Sequence, residues 1–292
     1  HDLQTVARDA LGDRRGSVVA LDPRTGEILA FWSVPSSDPC ALGSVDLRSA
    51  EQFGDVLRAL PPSVDPRLPR MYREIYFPGS TFTVVTAAAA LDANVATMSE
   101  PTFAAATEYV APLTTVPLQN FGGGTCGGDM LEALRVSCNT VFAELAAEVI
   151  GADSMIETAE RFGFNDTPPL DLPGVARSAF PADFGAQVGS TEGDPPVPIL
   201  ENTPALAQAG IGQNDVKATP LQMALVTAAI ANDGLIAQPH VVAEIRDQQG
   251  ELISEHQPTV WRSALSSTDA GVLRAAMVTT ATNGTATGLA VP

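Results

Sequence analysis

Basic nitrogen is scarce in this chain and almost all of it is arginine: Lys217 is the only lysine in 292 residues. Because Ala218 follows it, there is no G-K-S/T phosphate-binding loop, and nucleotide hydrolases of that class are excluded. The three histidines (His1, His240, His256) are scattered, and the three cysteines (Cys40, Cys126, Cys138) have no C-x-x-C spacing, so a zinc site is not indicated. No apolar run reaches the roughly 18–20 residues needed to span a bilayer. The longest, Val84–Leu91 and Ala224–Ala231, are alanine-rich and read as helix. No signal peptide is visible, and a chain opening on His1 reads as a fragment, so the lack of an anchor says nothing of the parent protein. A formal charge of −18 argues against nucleic acid or an anionic membrane surface as the main partner. With 45% hydrophobic and 17% charged residues, the chain has the apolar material for a packed core.

No repeat, low-complexity segment or polar linker divides the sequence, so residues 1–292 read as one domain. Gly16–Asp22 and Glu27–Val34 are β-forming runs around Pro23-Arg24-Thr25-Gly26, which predicts an antiparallel hairpin. A short helix is expected near Ala50–Leu60, and a core-facing helix from Ser80 through four alanines to Leu91. Two helical runs, Asp129–Leu134 and Thr140–Ile150, flank an interruption at Ser137-Cys138-Asn139, and Asp153–Phe162 adds another helix. Residues 165–200, rich in Pro, Gly and acid, read as an irregular crossing. Thr219-Pro220 opens the clearest helix, with Thr as cap and Pro at its first position, closing at Asn232-Asp233-Gly234. A second hairpin (His240–Asp247 with Glu251–Ser254) and a last helix, Ser267–Ala281, follow, and then a small-residue tail, Thr282–Gly288.

Two places carry candidate chemistry. Ser80 opens a buried helix, where unpaired backbone N–H groups and the helix dipole favour developing negative charge. An isolated serine there is more commonly a simple N-cap. Ser137-x-Asn139 puts a hydroxyl and an amide two residues apart on a turn, able to face one cleft, although both are also ordinary turn residues. Gly122, Gly124 and Gly127 satisfy G-x-G-x-x-G without the strand and helix a dinucleotide site requires, and read instead as a loop bordering the Ser137–Asn139 turn. His240 reads as a strand-edge residue.

Taken in order, these segments resemble the transpeptidase domain of penicillin-binding proteins, over nearly the whole chain. The resemblance rests on the hairpin Val18–Ala30, on Tyr76-Phe77-Pro78-Gly79-Ser80-Thr81-Phe82, on Ser137-Cys138-Asn139-Thr140 as an S-x-N motif, and on Gly210-Ile211-Gly212-Gln213 with Thr219-Pro220-Leu221-Gln222-Met223-Ala224. Ala231–Gly234 and Pro239-His240 continue it. Lacking a glycosyltransferase segment, the chain is more similar to class B members.

The resemblance implies an α/β sandwich of the β-lactamase/transpeptidase type. Helices would flank a mainly antiparallel sheet, and a largely helical region would span about residues 81–211. It implies that Ser80 attacks the D-Ala–D-Ala bond of a peptidoglycan stem peptide and is acylated by β-lactams, with Ser137 relaying a proton and Asn139 holding the substrate amide. No metal or organic cofactor is implied. Partners would be stem peptides, β-lactams and proteins of a cell-elongation or division complex, at the outer face of the bacterial cytoplasmic membrane. That oxidising compartment favours a Cys126–Cys138 disulfide, with three thiols the alternative.

Two departures stand out. The family's S-x-x-K lysine, one helical turn after the serine, is Thr83 here, which has no basic amine. The KTG segment, which follows residues like Thr282–Gly288 in relatives, is not present, so the C-terminal strands of the sheet are expected to be missing. Loss of a positioned base typically costs about 10²–10⁴-fold. The alternative function is therefore a catalytically dead relative that binds cell-wall peptides or partner proteins. A β-lactamase is a rival within the same fold, disfavoured by the Thr219–Ala224 helix.

Overall fold

Strands β1 (Gly16–Leu21) and β2 (Ile28–Val34) form the expected hairpin in the computed structural model, which describes residues 2–37, 40, 43, 46–61 and 64–289. Their register runs from Gly16 opposite Val34 to Leu21 opposite Ile28. The turn is closed by Asp22, whose Oδ1 accepts the Arg24 N–H at 2.8 Å and whose carbonyl accepts the Gly26 N–H at 2.9 Å. A helix that the sequence reading did not anticipate, α1 (Asp2–Leu11), covers the outer edge of β2. The Gln4 carboxamide donates to the Phe31 carbonyl at 2.9 Å and accepts the Phe31 N–H at 2.7 Å. It thus stands in for a neighbouring strand and blunts that edge. The other edge, on β1, has no strand partner among the described residues.

Helix α2 (Leu47–Ala59) and the one-turn helix α3 (Arg70–Arg73) lead to a 3₁₀ turn at Gly79–Phe82, which runs straight into α4 (Thr83–Asp92). An excursion of short strands follows: β3 (Phe103–Ala106), β4 (Glu108–Tyr109), β5 (Leu118–Gln119) and β6 (Cys126–Gly128), with β3 paired to β6 and β4 to β5. Helix α5 (Met130–Val136) and α6 (Asn139–Glu144) flank the interruption read from the sequence, and α6 continues as a π-helical turn, Leu145–Ile150. Helix α7 (Ala152–Arg161), the pair β7 (Gln187–Ser190) and β8 (Pro198–Leu200), and α8 (Thr203–Ala209) complete this region.

Helix α9 (Pro220–Ala231) starts where Thr219 and Pro220 predict: the Thr219 hydroxyl accepts the Gln222 N–H at 3.0 Å. It packs across β1. Strand β9 (Leu235–Ala237), the hairpin β10 (Glu244–Arg246) with β11 (Leu252–Glu255), β12 (Val260–Ser263) and α10 (Ser267–Asn283) close the chain.

The core is helical and alanine-rich. Val85 and Ala87–Ala90 of α4 are fully buried, and their small side chains let α7 and the π-helical turn pack closely on it. Phe82 anchors the first turn, edge-on to Phe164 at 5.4 Å and stacked on Phe180 at 5.5 Å between ring centres.

The expected α/β fold of antiparallel strands flanked by helices is present, and among the described residues its strands pair two by two. The structure corrects the sequence reading at three points. In the region from about 81 to 211 the helices alternate with the short strands β3–β8 and with irregular chain, and β7 and β8 lie inside the supposedly irregular crossing. The last helix reaches Asn283, so the expected small-residue tail begins within it. His240 is not a generic edge residue: it is 4% exposed, bridges Glu27 of the first hairpin, and its ring stacks on His256 at 3.6 Å.

Candidate active site

Ser80 sits on the second residue of the 3₁₀ turn that opens α4. Gly79 before it has φ +55° and donates its N–H to the Gly212 carbonyl at 3.0 Å. Gly212, at φ +68°, lies so close that a Cβ there would stand 2.3 Å from the Gly79 carbonyl oxygen and 2.7 Å from the Phe82 Cβ. The neighbouring Gly210 carbonyl accepts the Thr86 hydroxyl of α4 at 2.6 Å. The loop after α8 is thereby pressed against the turn that carries Ser80. Upstream, Tyr76 pairs with Ala218 as an isolated bridge, and burial together with the Glu74 carboxylate pushes the Tyr76 phenol up to about 12.

Ser80 is exposed, and its hydroxyl has no hydrogen-bond partner among the described residues. Thr83, one turn on, is buried, and its hydroxyl donates to the Ser80 carbonyl at 2.8 Å. A hydroxyl is no base near neutral pH, so Thr83 does not take the Ser80 proton as an amine would. Lys217 does not replace the missing amine: its ammonium lies over the Phe77 ring, 5.4 Å from the centroid, and it does not line the cavity in front of Ser80.

That cavity holds about 340 Å³. Ser80, Thr83 and Ser137 all line it, so the structure brings together the two segments on which the sequence reading depends. Val84, Leu134 and Met277 give it an apolar lining. Ser137 reaches it through a left-handed C-cap on α5 (φ +59°, ψ 53°), a conformation that a non-glycine residue adopts at a cost of order 1–3 kcal/mol. The far wall is held by Arg135, whose guanidinium pairs with Glu132 and donates to the Asn283 carbonyl at 2.7 Å, while its own carbonyl accepts the Thr285 N–H at 3.0 Å. Hydrogen bonds from the Arg135 guanidinium hold the Glu132 carboxyl below its usual range. Asn139 is not a wall of the cavity. Its side-chain N–H₂ donates to the Gln119 carbonyl at 3.1 Å, which leaves one N–H and the oxygen for another group.

Cys126 and Cys138 are joined in a disulfide, with 5.9 Å between their Cα atoms. It ties β6 to the residue between Ser137 and Asn139, so the Gly122–Gly127 loop borders the turn as read from the sequence. Cys40 is exposed and outside the bridge. Removing the bridge as Cys126→Ser with Cys138→Ser is expected to lower stability by about 2–4 kcal/mol, read from the urea midpoint with and without reductant. An unchanged midpoint would show that the turn is held without it.

Sequence reasoning missed two residues that shape this site. Gly212 lies within the Gly210–Gln213 motif, but nothing in the sequence signals that it abuts Gly79. Asn120, 7% exposed, binds the α6 end of the turn from a distant loop. Its one local signal is an Asn placed just before Phe121-Gly122-Gly123-Gly124.

Comparison with known proteins identifies the family. Residues 16–292 match the family described as the penicillin-binding protein transpeptidase domain. The peptidoglycan D,D-transpeptidase PbpA of Mycolicibacterium smegmatis is 41% identical over 286 residues, which is 94% of this chain and 54% of the relative. The crystal structure of PbpA from Mycobacterium tuberculosis superposes with a TM-score of 0.83 at 34% identity, covering 98% of this chain and 61% of that one. Its imipenem acyl-enzyme complex gives 0.85 at the same identity, again over 98% and 61%. The chain spans about half the length of the curated relatives it matches. By sequence and by fold, it belongs to the penicillin-binding protein transpeptidase domain family.

Proposed function

We propose that this chain, residues 1–292, is the acyl-transfer domain of a peptidoglycan D,D-transpeptidase, with Ser80 as its nucleophile and its base position filled by a residue that is not a base. The single observation that carries the reading is that Ser80, Thr83 and Ser137 line one cavity. In the proposed reaction the Ser80 oxygen bonds to the penultimate D-alanine carbonyl, the D-Ala–D-Ala amide bond breaks, and D-alanine leaves with a proton. An amine from a second stem peptide then takes the acyl group and regenerates the hydroxyl. Ser137 relays protons across the cavity, and Asn139 offers its remaining N–H and its oxygen to the substrate amide. The position of Ser80 at the start of a helix adds its own N–H as a donor to the developing oxyanion. β-Lactams would acylate the same oxygen, as in the imipenem, ceftriaxone and penicillin G acyl-enzymes of the M. tuberculosis relative.

A second reading has its own observation behind it. The cavity's walls are hydroxyl and apolar side chains, so no basic group among them activates Ser80. A module that holds stem peptide or a partner from an elongation or division complex, without turnover, fits this. The disulfide supports placement outside the cytoplasm, at the outer face of the membrane. Among the described residues no helix is long and apolar enough to cross a membrane.

Fluorescent penicillin separates the two readings. Slow covalent labelling that disappears in Ser80→Ala supports the enzyme. Reversible binding of a stem peptide to a chain that is never labelled supports the module.

A further inference from the structure

Helix α6 begins without a cap of its own: Cys138, which is disulfide-bonded, occupies the N-cap position and makes no side-chain capping bond. The N–H groups of the first turn then need an acceptor from elsewhere. Asn120 supplies it. Its Oδ1 accepts the Thr140 N–H at 3.0 Å, while its Nδ2 donates to the carbonyls of Ala106 at 2.9 Å and Gly124 at 3.0 Å. Its backbone is bonded as well, N–H to the Thr107 carbonyl at 3.3 Å and carbonyl to the Gly123 N–H at 3.0 Å. One N–H facing the oxygen and two carbonyls facing the nitrogen fix which way the carboxamide points. The preceding residue, Gln119, gives its carbonyl to the Asn139 side chain. Two consecutive residues of one loop therefore grip two consecutive residues of the S-x-N segment.

We propose that Asn120 is a positioning residue for the Ser80 site, acting through the Ser137–Asn139 turn. By capping α6 from outside, it sets the direction in which that helix starts, and with it where the Ser137 hydroxyl and the free half of the Asn139 carboxamide point. The disulfide restrains the distance of the turn from β6, and Asn120 sets its orientation. This rests on the reading of Ser80, Ser137 and Asn139 given above. A misplacement of about 1 Å at such a site is enough to cost about 10²-fold in rate.

The test uses Asn120→Ala and Asn120→Asp, each with two readouts. In the chain as it stands, hydrogen exchange and side-chain amide NMR report on the turn. Asn120→Ala is expected to speed exchange of the Thr140 amide and shift the Asn139 carboxamide signals, while the Ala87–Ala90 amides of α4 keep their protection. Asn120→Asp retains the acceptor for Thr140 and is expected to preserve more of that protection. In a Thr83→Lys background, acylation by penicillin G separates binding from chemistry: Asn120→Ala is expected to lower the first-order acylation rate about 10- to 100-fold with the non-covalent binding constant unchanged. Equal acylation rates with and without Asn120, or loss of protection in α4 as large as at Thr140, would overturn the proposal and leave Asn120 a general structural residue. If the Thr83→Lys chain is not acylated at all, the enzymatic reading fails, and the exchange pattern in the unaltered chain still decides whether Asn120 orients the turn.

Discussion

Replacing Thr83 with lysine is expected to raise the rate of Ser80 acylation by about 10²–10⁴-fold, the range over which a positioned base typically acts. Thr83 follows Ser80 by three residues, so the two share one helix face and both line the same cavity. The threonine now spends its hydroxyl on the Ser80 carbonyl at 2.8 Å. A lysine stem would run from the same Cα into about 340 Å³ of space lined by Val84, Leu134 and Met277. Those apolar walls disfavour the charged amine and push its pKa down, which raises the fraction able to accept the serine proton near neutral pH. The fit is not without cost. Thr83 is 5% exposed, and adding methylenes there is expected to destabilise the fold by about 1–3 kcal/mol. The second-order constant for β-lactam acylation, measured on chains verified as folded, checks the prediction. A rate equal to that of the unaltered chain would mean that Thr83 does not stand where a base is needed.

Gly212→Ala carries the second large effect. The substitution forces a side chain onto φ +68° and drives its Cβ to within 2.3 Å of the Gly79 carbonyl oxygen, which is backbone and cannot swing aside. Conformational strain and overpacking, each of order 1–3 kcal/mol, together predict a loss of about 2–5 kcal/mol in denaturant unfolding. Relief of the clash must move either the loop after α8 or the turn carrying Ser80, so acylation in the Thr83→Lys background is expected to fall about 10²-fold. Gly250→Ala provides the control. Its φ is +86°, but nothing lies within 4 Å of the added Cβ, so it reports backbone strain alone. If the two substitutions cost the same, the close approach of Gly212 to Gly79 contributes nothing.

What could be read in the sequence and what could not divide along chain distance. The Asp22–Gly26 turn, the Thr219 cap and the Ser137–Asn139 break are local: each is a few residues whose own hydrogen bonds fix the backbone, so composition is enough to place them. The motif order also placed Ser80 and Ser137 in one site, and compartment reasoning favoured Cys126 with Cys138. The elements that escaped are settled by partners far along the chain. Gln4 of α1 completes a strand edge 27 residues away, and β9 finds β12 across the β10–β11 hairpin. Asn120 bonds to Thr140 across 20 residues, and Gly212 touches Gly79 more than a hundred positions earlier. Asn and Gly are also the residues that any loop uses, so neither the Gly210–Gln213 motif nor an Asn before Phe121-Gly122-Gly123-Gly124 tells which distant segment each one meets. The same limit explains His240, which bridges Glu27 and stacks on the His256 ring, both far from it in sequence.

Peptide mapping by mass spectrometry, after the Thr83→Lys chain is exposed to penicillin G, locates the covalent adduct directly. The predicted result is an adduct confined to the peptide that bears Ser80, absent when Ser80→Ala is added. An adduct on the peptide containing Ser137 or Lys217, or none on a folded chain, would contradict it.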